Sequence, residues 1–178
     1  FLIAGAYPFG ALVTVSRGRW DARFGTLDSS PVRGRPFFGK NKPPRLLNAV
    51  GGFGITPRVG LRVGVGVAHG AYASVNEVTD RSRGDRDATL IQLEADWSFG
   101  HTRVVREWVR SVMETARADA RAIGGWIEVT QTLSPRLFAA GRVDSQHLDY
   151  QLLVGRDVLR QRYERIEGVL GVRLSADL

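Results

Sequence analysis

The segment Thr89 to Phe99, TLIQLEADWSF, sets Ile91, Leu93, Ala95, Trp97 and Phe99 against Gln92, Glu94, Asp96 and Ser98 without an exception. Such period-two alternation is the pattern of a β-strand with one apolar and one polar face. Residues 58–67 repeat it, with Val59, Leu61, Val63, Val65 and Val67 opposing Arg58, Gly60, Arg62, Gly64 and Gly66. Residues 165–174 do so again, with Ile166, Leu170 and Val172 facing away from Arg165, Glu167 and Arg173. A chain carrying several such segments is committed to sheets, because helical packing would scatter these faces.

Punctuation between the segments is periodic. Tight-turn signals stand at Arg17-Gly18, Thr56-Pro57-Arg58, Gly100-His101, Ser134-Pro135-Arg136 and Ser175-Ala176-Asp177, near 18, 57, 100, 135 and 176. Between them lie long polar stretches, 28–46, 70–88, 113–122 and 145–161, rich in Arg, Asp, Ser, Gly and Pro as exposed loops are. Short turns alternate with long loops, which predicts nine strands near 11–16, 19–27, 47–55, 58–69, 89–99, 102–112, 123–133, 136–145 and 162–174. Residues 103–121 also carry Val104, Val105, Trp108, Val109, Val112, Met113 and Ala116 at helical spacing. There a helix and a strand followed by a loop both remain open, and the flanking hairpins favour the strand.

The expectation is an all-β, antiparallel up-and-down transmembrane β-barrel, one domain over 1–178. Tilted strands of about 9–11 residues, short turns on one rim and long loops on the other are the anatomy of outer-membrane barrels. Nine strands, with Phe1 and Leu178 both inside apolar sequence, read as part of a larger barrel. Trp20, Phe53, Trp97 and Phe99 are placed on the turn side, as an interfacial girdle. A soluble sandwich would use the same alternation with the apolar face turned inward.

In the barrel, the expected lining is Arg19, Asp21, Arg23, Arg58, Arg62, Glu94, Asp96, Arg103, Glu107, Glu128, Arg142, Asp144, Arg165, Glu167 and Arg173. Opposite signs in such a wall can pair across strands. The formal charge of +7 has its surplus in the loop 28–46, through Arg33, Arg35, Lys40, Lys42 and Arg45. Folded into a pore, this loop would narrow it and favour anions; held outside, it would meet lipid phosphates; as a plain solvated loop it would do neither.

No enzyme is expected. The chain has no cysteine, and His69, His101 and His147 lack metal-ligand spacing. Gly64-Val65-Gly66 lies inside a strand, so it is no dinucleotide loop. Glu94 and Asp96 share a face but read as lining rather than an acid–base pair. Aromatics and arginines occupy opposite faces, which argues against nucleic acid. No cofactor and no metal are expected.

GGWIEVTQTLSPRLFAAGRVDS (124–145) and RIEGVLGVRLSADL (165–178) resemble the late hairpins of bacterial outer-membrane porins, the phosphate-selective porin-like group in particular. The shared features are an aromatic opening, an inward Glu, a Leu-Ser-Pro-Arg turn and Ala-Ala-x-Arg-x-Asp. Residues 47–99 match in style, and 1–46 hardly at all. The resemblance implies a barrel in the bacterial outer membrane, passive diffusion of small hydrophilic solutes or ions, contact with membrane lipid and possibly a homotrimer. It supplies no catalytic residues, and no lysine cluster supports phosphate selectivity. A non-conducting structural or adhesive barrel, or a soluble β-rich binding module, are the alternatives.

Overall fold

The computed structural model describes residues 10–27, 48–76, 84–115, 119–151 and 158–172. They form one nine-stranded sheet in strict chain order, every neighbouring pair antiparallel. The strands are β1 (Gly10–Arg17), β2 (Trp20–Leu27), β3 (Asn48–Arg58), β4 (Leu61–Ala73), β5 (Arg86–Phe99), β6 (Thr102–Met113), β7 (Ala120–Thr132), β8 (Leu137–Gln151) and β9 (Val158–Val172). The fold is thus all-β and up-and-down. Among the described residues the sheet is open, with β1 and β9 as its edges.

In the ambiguous segment 103–121 the described residues form a strand as far as Met113 and the start of the next strand at Ala120. β6 pairs with β5 from Thr102 to Met113 and with β7 over the same length. Its helical spacing lost to two ladders of cross-strand hydrogen bonds, which the segment alone cannot reveal. The long connections are shorter than expected at three places, because strands run on into them. β4 reaches Ala73 and β5 begins at Arg86; β7 begins at Ala120; β8 reaches Gln151 and β9 begins at Val158. His147 accordingly lies in β8, not in a loop. Beyond the ladder, the loop-side ends of β4, β5 and β6 are tied together. The Tyr72 hydroxyl donates to the Glu114 carbonyl, and Asp87 N–H donates to Glu114 Oε2 at 3.1 Å.

The turns follow their chemistry. Gly18 and Gly100 carry φ of 59° and 54° at the first turn position, as two-residue hairpins with a leading glycine require. The four-residue turn Leu133–Arg136 closes on Ser134, whose Oγ accepts from Leu137 N–H at 3.1 Å and Arg136 N–H at 3.3 Å. The second turn is displaced from Thr56-Pro57-Arg58. Arg58 pairs with Leu61, so the turn is Val59-Gly60, with Gly60 at φ 81°. Thr56 and Pro57 instead sit where the β3–β4 register shifts, between Ile55 and Arg58. A register irregularity is the place in a sheet where a residue without an N–H does least harm. The fifth expected turn, near 176, lies outside the described residues, as does the whole loop 28–46.

Register assigns every side chain to a face. One face carries Val15, Trp20, Phe24, Phe53, Ile55, Val63, Val65, Val67, Ile91, Leu93, Trp97, Ile127, Val143 and Ile166, all exposed. Phe24 is 56% and Leu93 49% exposed, values that belong to a surface rather than a core. The apolar band crosses the register rows obliquely. One row runs Val15, Ala22, Phe53, Val65, Leu93, Trp108, and then Gly125, Ser145 and Glu164. By β8 and β9 the apolar positions have moved toward the turns, to Val143, Ile166 and Leu170. A horizontal apolar belt seen on tilted strands produces this slip.

Gly60 is the turn position least open to substitution, since an added Cβ there would also strike the Ser98 carbonyl. Gly100 shares the positive φ but has open space around it. Gly60→Ala is expected to destabilise by clearly more than the roughly 1–2 kcal/mol of a left-handed non-glycine residue, and Gly100→Ala by about that amount. Denaturant unfolding of the two refolded variants compares them directly; equal losses would remove the contact with Ser98 as a cause.

Candidate functional site: an ionic face over a glycine floor

The opposite face gathers the charges. Cross-strand partners line up Asp21, Gly54, Gly64, Glu94, Glu107, Trp126, Asp144 and Arg165 in one register row. The adjacent row toward the turns holds Arg62, Asp96, Val105, Glu128, Arg142 and Glu167. Twelve of the fifteen expected lining residues therefore lie in these two rows or one step beyond them: Asp21, Arg23, Arg62, Glu94, Asp96, Arg103, Glu107, Glu128, Arg142, Asp144, Arg165 and Glu167.

Two do not follow the expectation, and a third is not described. Arg19 belongs to the turn, where its Nη1 donates to the Pro57 carbonyl at 3.1 Å. Arg58 is on the apolar face: the register shift at Thr56-Pro57 reverses its orientation, and its guanidinium lies 5.6 Å from the Trp97 ring centre. Arg173 lies outside the described residues, and so do Arg33, Arg35, Lys40, Lys42 and Arg45.

The charges are arranged as two networks and an isolated pair. In the first network, Arg62 donates to both carboxylate oxygens of Asp21, at 3.2 and 2.9 Å, and also to Glu94. Arg23 reaches the same Glu94 oxygen at 3.3 Å. β2 and β5 are three strand spacings apart, roughly 14 Å in a flat sheet. Extended arginine and glutamate side chains nearly span that distance, and along β4 and β5 the ionic positions are mostly less exposed than the apolar ones, as on the inner side of a curved sheet. Glycine permits the rest. A Cβ at Gly54 would overlap the Arg62 guanidinium and come within 2.7 Å of Asp21; one at Gly64 would come within 2.7 Å of Glu94. Bare backbone on β3 and β4 is the floor on which Arg62 lies across the strands.

The isolated pair joins Arg103 to Asp96 through two bonds of 3.0 and 2.6 Å. The second network centres on Asp144, which accepts from Arg142 at 2.8 Å and from Arg165 at 3.2 Å. Arg165 also pairs with Glu167 at 3.2 Å, and the Arg142 guanidinium sits 4.3 Å from the Trp126 ring centre. Bidentate guanidinium–carboxylate pairs hold both side chains in fixed orientations. This wall is polar, ordered and close to internally neutral.

On the turn side of the other face, Trp97 and Phe99 stack with ring centres 4.4 Å apart, and Trp20 lies next to its turn. Phe53 does not belong with them; it sits mid-strand opposite Val65. The sequence reading also passed over Arg106 and Arg110. Both share the parity of Val104 and Trp108 and so lie on the apolar face, exposed, Arg106 between Ala95 and Ile127. The signal was available in the alternation of REWVR itself.

The histidines give no metal centre. His69 Nδ1 is 2.9 Å from Thr89 Oγ1, and no group of three or more potential ligands assembles among the described residues. No family model, no curated protein and no solved structure matches the chain.

The floor has a direct test in two glycines on the same face. Gly54→Ala should cost about 1–3 kcal/mol, the range for overpacking, because Arg62 must leave Asp21. At Gly66 the nearest atoms to an added Cβ are 3.6–3.8 Å away. Gly66→Ala should therefore be neutral or stabilising by up to about 1 kcal/mol through a less flexible unfolded chain. Unfolding midpoints of both variants decide it, and equal effects would refute the close-approach argument.

Proposed function

We propose that the chain forms part of the wall of an outer-membrane, porin-like β-barrel through which small hydrophilic solutes or ions diffuse. The observation that carries this reading is the inversion of the two faces. The apolar face is uncovered, and the ionic face is the one toward which the sheet curves. A soluble sandwich requires the reverse. Strands of 11 to 15 residues from β3 to β9 and the oblique apolar band fit tilted strands in a bilayer. No helix among the described residues is long and apolar enough to cross a membrane.

In this reading the paired arginines and carboxylates line a water-filled lumen. They provide a hydrophilic surface without a strong excess of either sign, so passage depends on size. The density of the pairing favours one alternative, a non-conducting structural barrel whose interior charges satisfy one another. Catalysis plays no part in either.

Single-channel recording on the full-length protein in a planar bilayer tests the proposal. Stepwise conductance is expected, and its absence from correctly folded protein would favour the structural barrel. Asp21→Asn removes the carboxylate held bidentately by Arg62, so the reversal potential in a salt gradient should move toward anion preference. An unchanged potential would take Arg62 out of the ion path.

Arg106 tests the lipid-facing assignment independently. A cation at the bilayer midplane costs a barrel about 2–4 kcal/mol. Arg106→Leu should stabilise the protein folded in lipid by a comparable amount. A loss of stability would mean that this part of the face contacts something other than lipid.

A further inference from the structure

Glu107 and Glu128 are charges that the networks leave out, and of the two only Glu107 is buried. It is only 9% exposed, and it makes no ion pair or side-chain hydrogen bond with another described residue. Its cross-strand neighbours are Glu94 and Trp126. Glu94 is already engaged by Arg62 and Arg23, so no cation is left over for Glu107. Its carboxylate oxygens still reach solvent, so a mobile counter-charge can approach them.

Glu107 borders a recess of about 360 Å³ on the ionic face. Its floor is the backbone at Gly124, and Ser111, Trp126, Gln146 and Tyr163 stand around it. The one other carboxylate on its border, Asp144, is neutralised by Arg142 and Arg165. Arg142 and Arg165 also line it, but Asp144 and Glu167 balance them, and Arg142 already lies over the Trp126 ring, so what remains is the Glu107 carboxylate, the Tyr163 ring and hydroxyl, an amide and a bare glycine floor.

We propose that this recess is a binding subsite for an organic cation, the ammonium or guanidinium group of a small solute. Glu107 supplies the counter-charge. Gln146, Ser111 and the Tyr163 hydroxyl supply hydrogen-bond acceptors, and the Tyr163 ring attracts a cation through its negative face. A bare metal ion would find one carboxylate only, too few ligands for a site. The inference rests on the pore reading for how the solute arrives, but not for its binding.

Calorimetric titration of the full-length protein in detergent with butylammonium chloride, against sodium chloride at equal ionic strength, tests the subsite. Wild-type protein should bind butylammonium. Glu107→Gln should weaken binding at least about tenfold, the effect of losing one charge-assisted contact of about 1.4 kcal/mol. Glu107→Asp should retain binding in part, and Asp96→Asn, whose carboxylate belongs to Arg103, should retain it in full. Equal binding by wild type and Glu107→Gln, or no binding to either, would overturn the proposal. Binding of glucose in place of butylammonium would overturn the cationic class. Bilayer recording on the same preparation separates the two readings. Binding without conductance would sink the pore and leave the subsite; conductance without Glu107-dependent binding would do the reverse.

Discussion

Everything in this sheet depends on register. In a β-strand a slip of one residue transfers each side chain to the opposite face. Eight successive pairings hold the phase from β1 to β9, so charges separated by more than a hundred residues arrive in the same row. Asp21 and Arg165 lie at opposite ends of one such row. The register shift between Ile55 and Arg58 shows what phase is worth. There the sequence alternation continues without a break through Arg58, yet Arg58 lies with Trp97 and not with Arg62. Proline at that position is compatible with an irregular ladder, and the turn forms two residues later, where Gly60 accepts a positive φ.

Register places the charges; glycine lets them meet. Glycine weakens a strand in isolation, by roughly 0.5–1 kcal/mol relative to alanine. In β3 and β4 it stands on the ionic face at Gly52, Gly54, Gly64 and Gly66. The vacated volume is occupied by the Arg62 guanidinium at Gly54 and by the Glu94 carboxylate at Gly64. The abundance of glycine within strand-like sequence thus has a local cause, the transverse ionic network. The second network lacks such a floor beneath its charges. It lies nearer the β9 edge, where Arg142, Asp144, Arg165 and Glu167 pair between immediate neighbours.

Much of this was legible in the sequence, for a physical reason. A half-buried or half-lipid-exposed sheet writes its two faces directly into period-two alternation, and turns write themselves into Gly and Pro. The nine strands were read from those signals with ends displaced by a few residues. What was not legible depended on pairing. β6 carries a helical pattern that only its neighbours overrule. The ends of β4, β8 and β9 contain polar residues that resemble loop sequence until a partner strand is alongside. Glu107 could be assigned to the ionic face by parity. That it is left without a partner follows only from where Arg62 and Arg23 are directed.

The arginines on the apolar face bear on how the sheet is completed. Arg106 stands in the middle of the apolar band, whereas Arg110 is nearer its loop-side margin, where a long side chain can reach the polar boundary. Among the described residues the band ends at two edge strands, β1 and β9, and in the proposed bilayer setting those edges could not stay open, because no water there would satisfy their N–H and C=O groups. Closure of the sheet by further strands would satisfy those edges and would bring the two ionic networks around a common interior. The lower exposure of the ionic positions along β4 and β5 is what a sheet turning in that direction would show. An interior whose charges are paired before closure adds little like-charge repulsion when the wall comes round, so the ionic networks and the closed topology support one another.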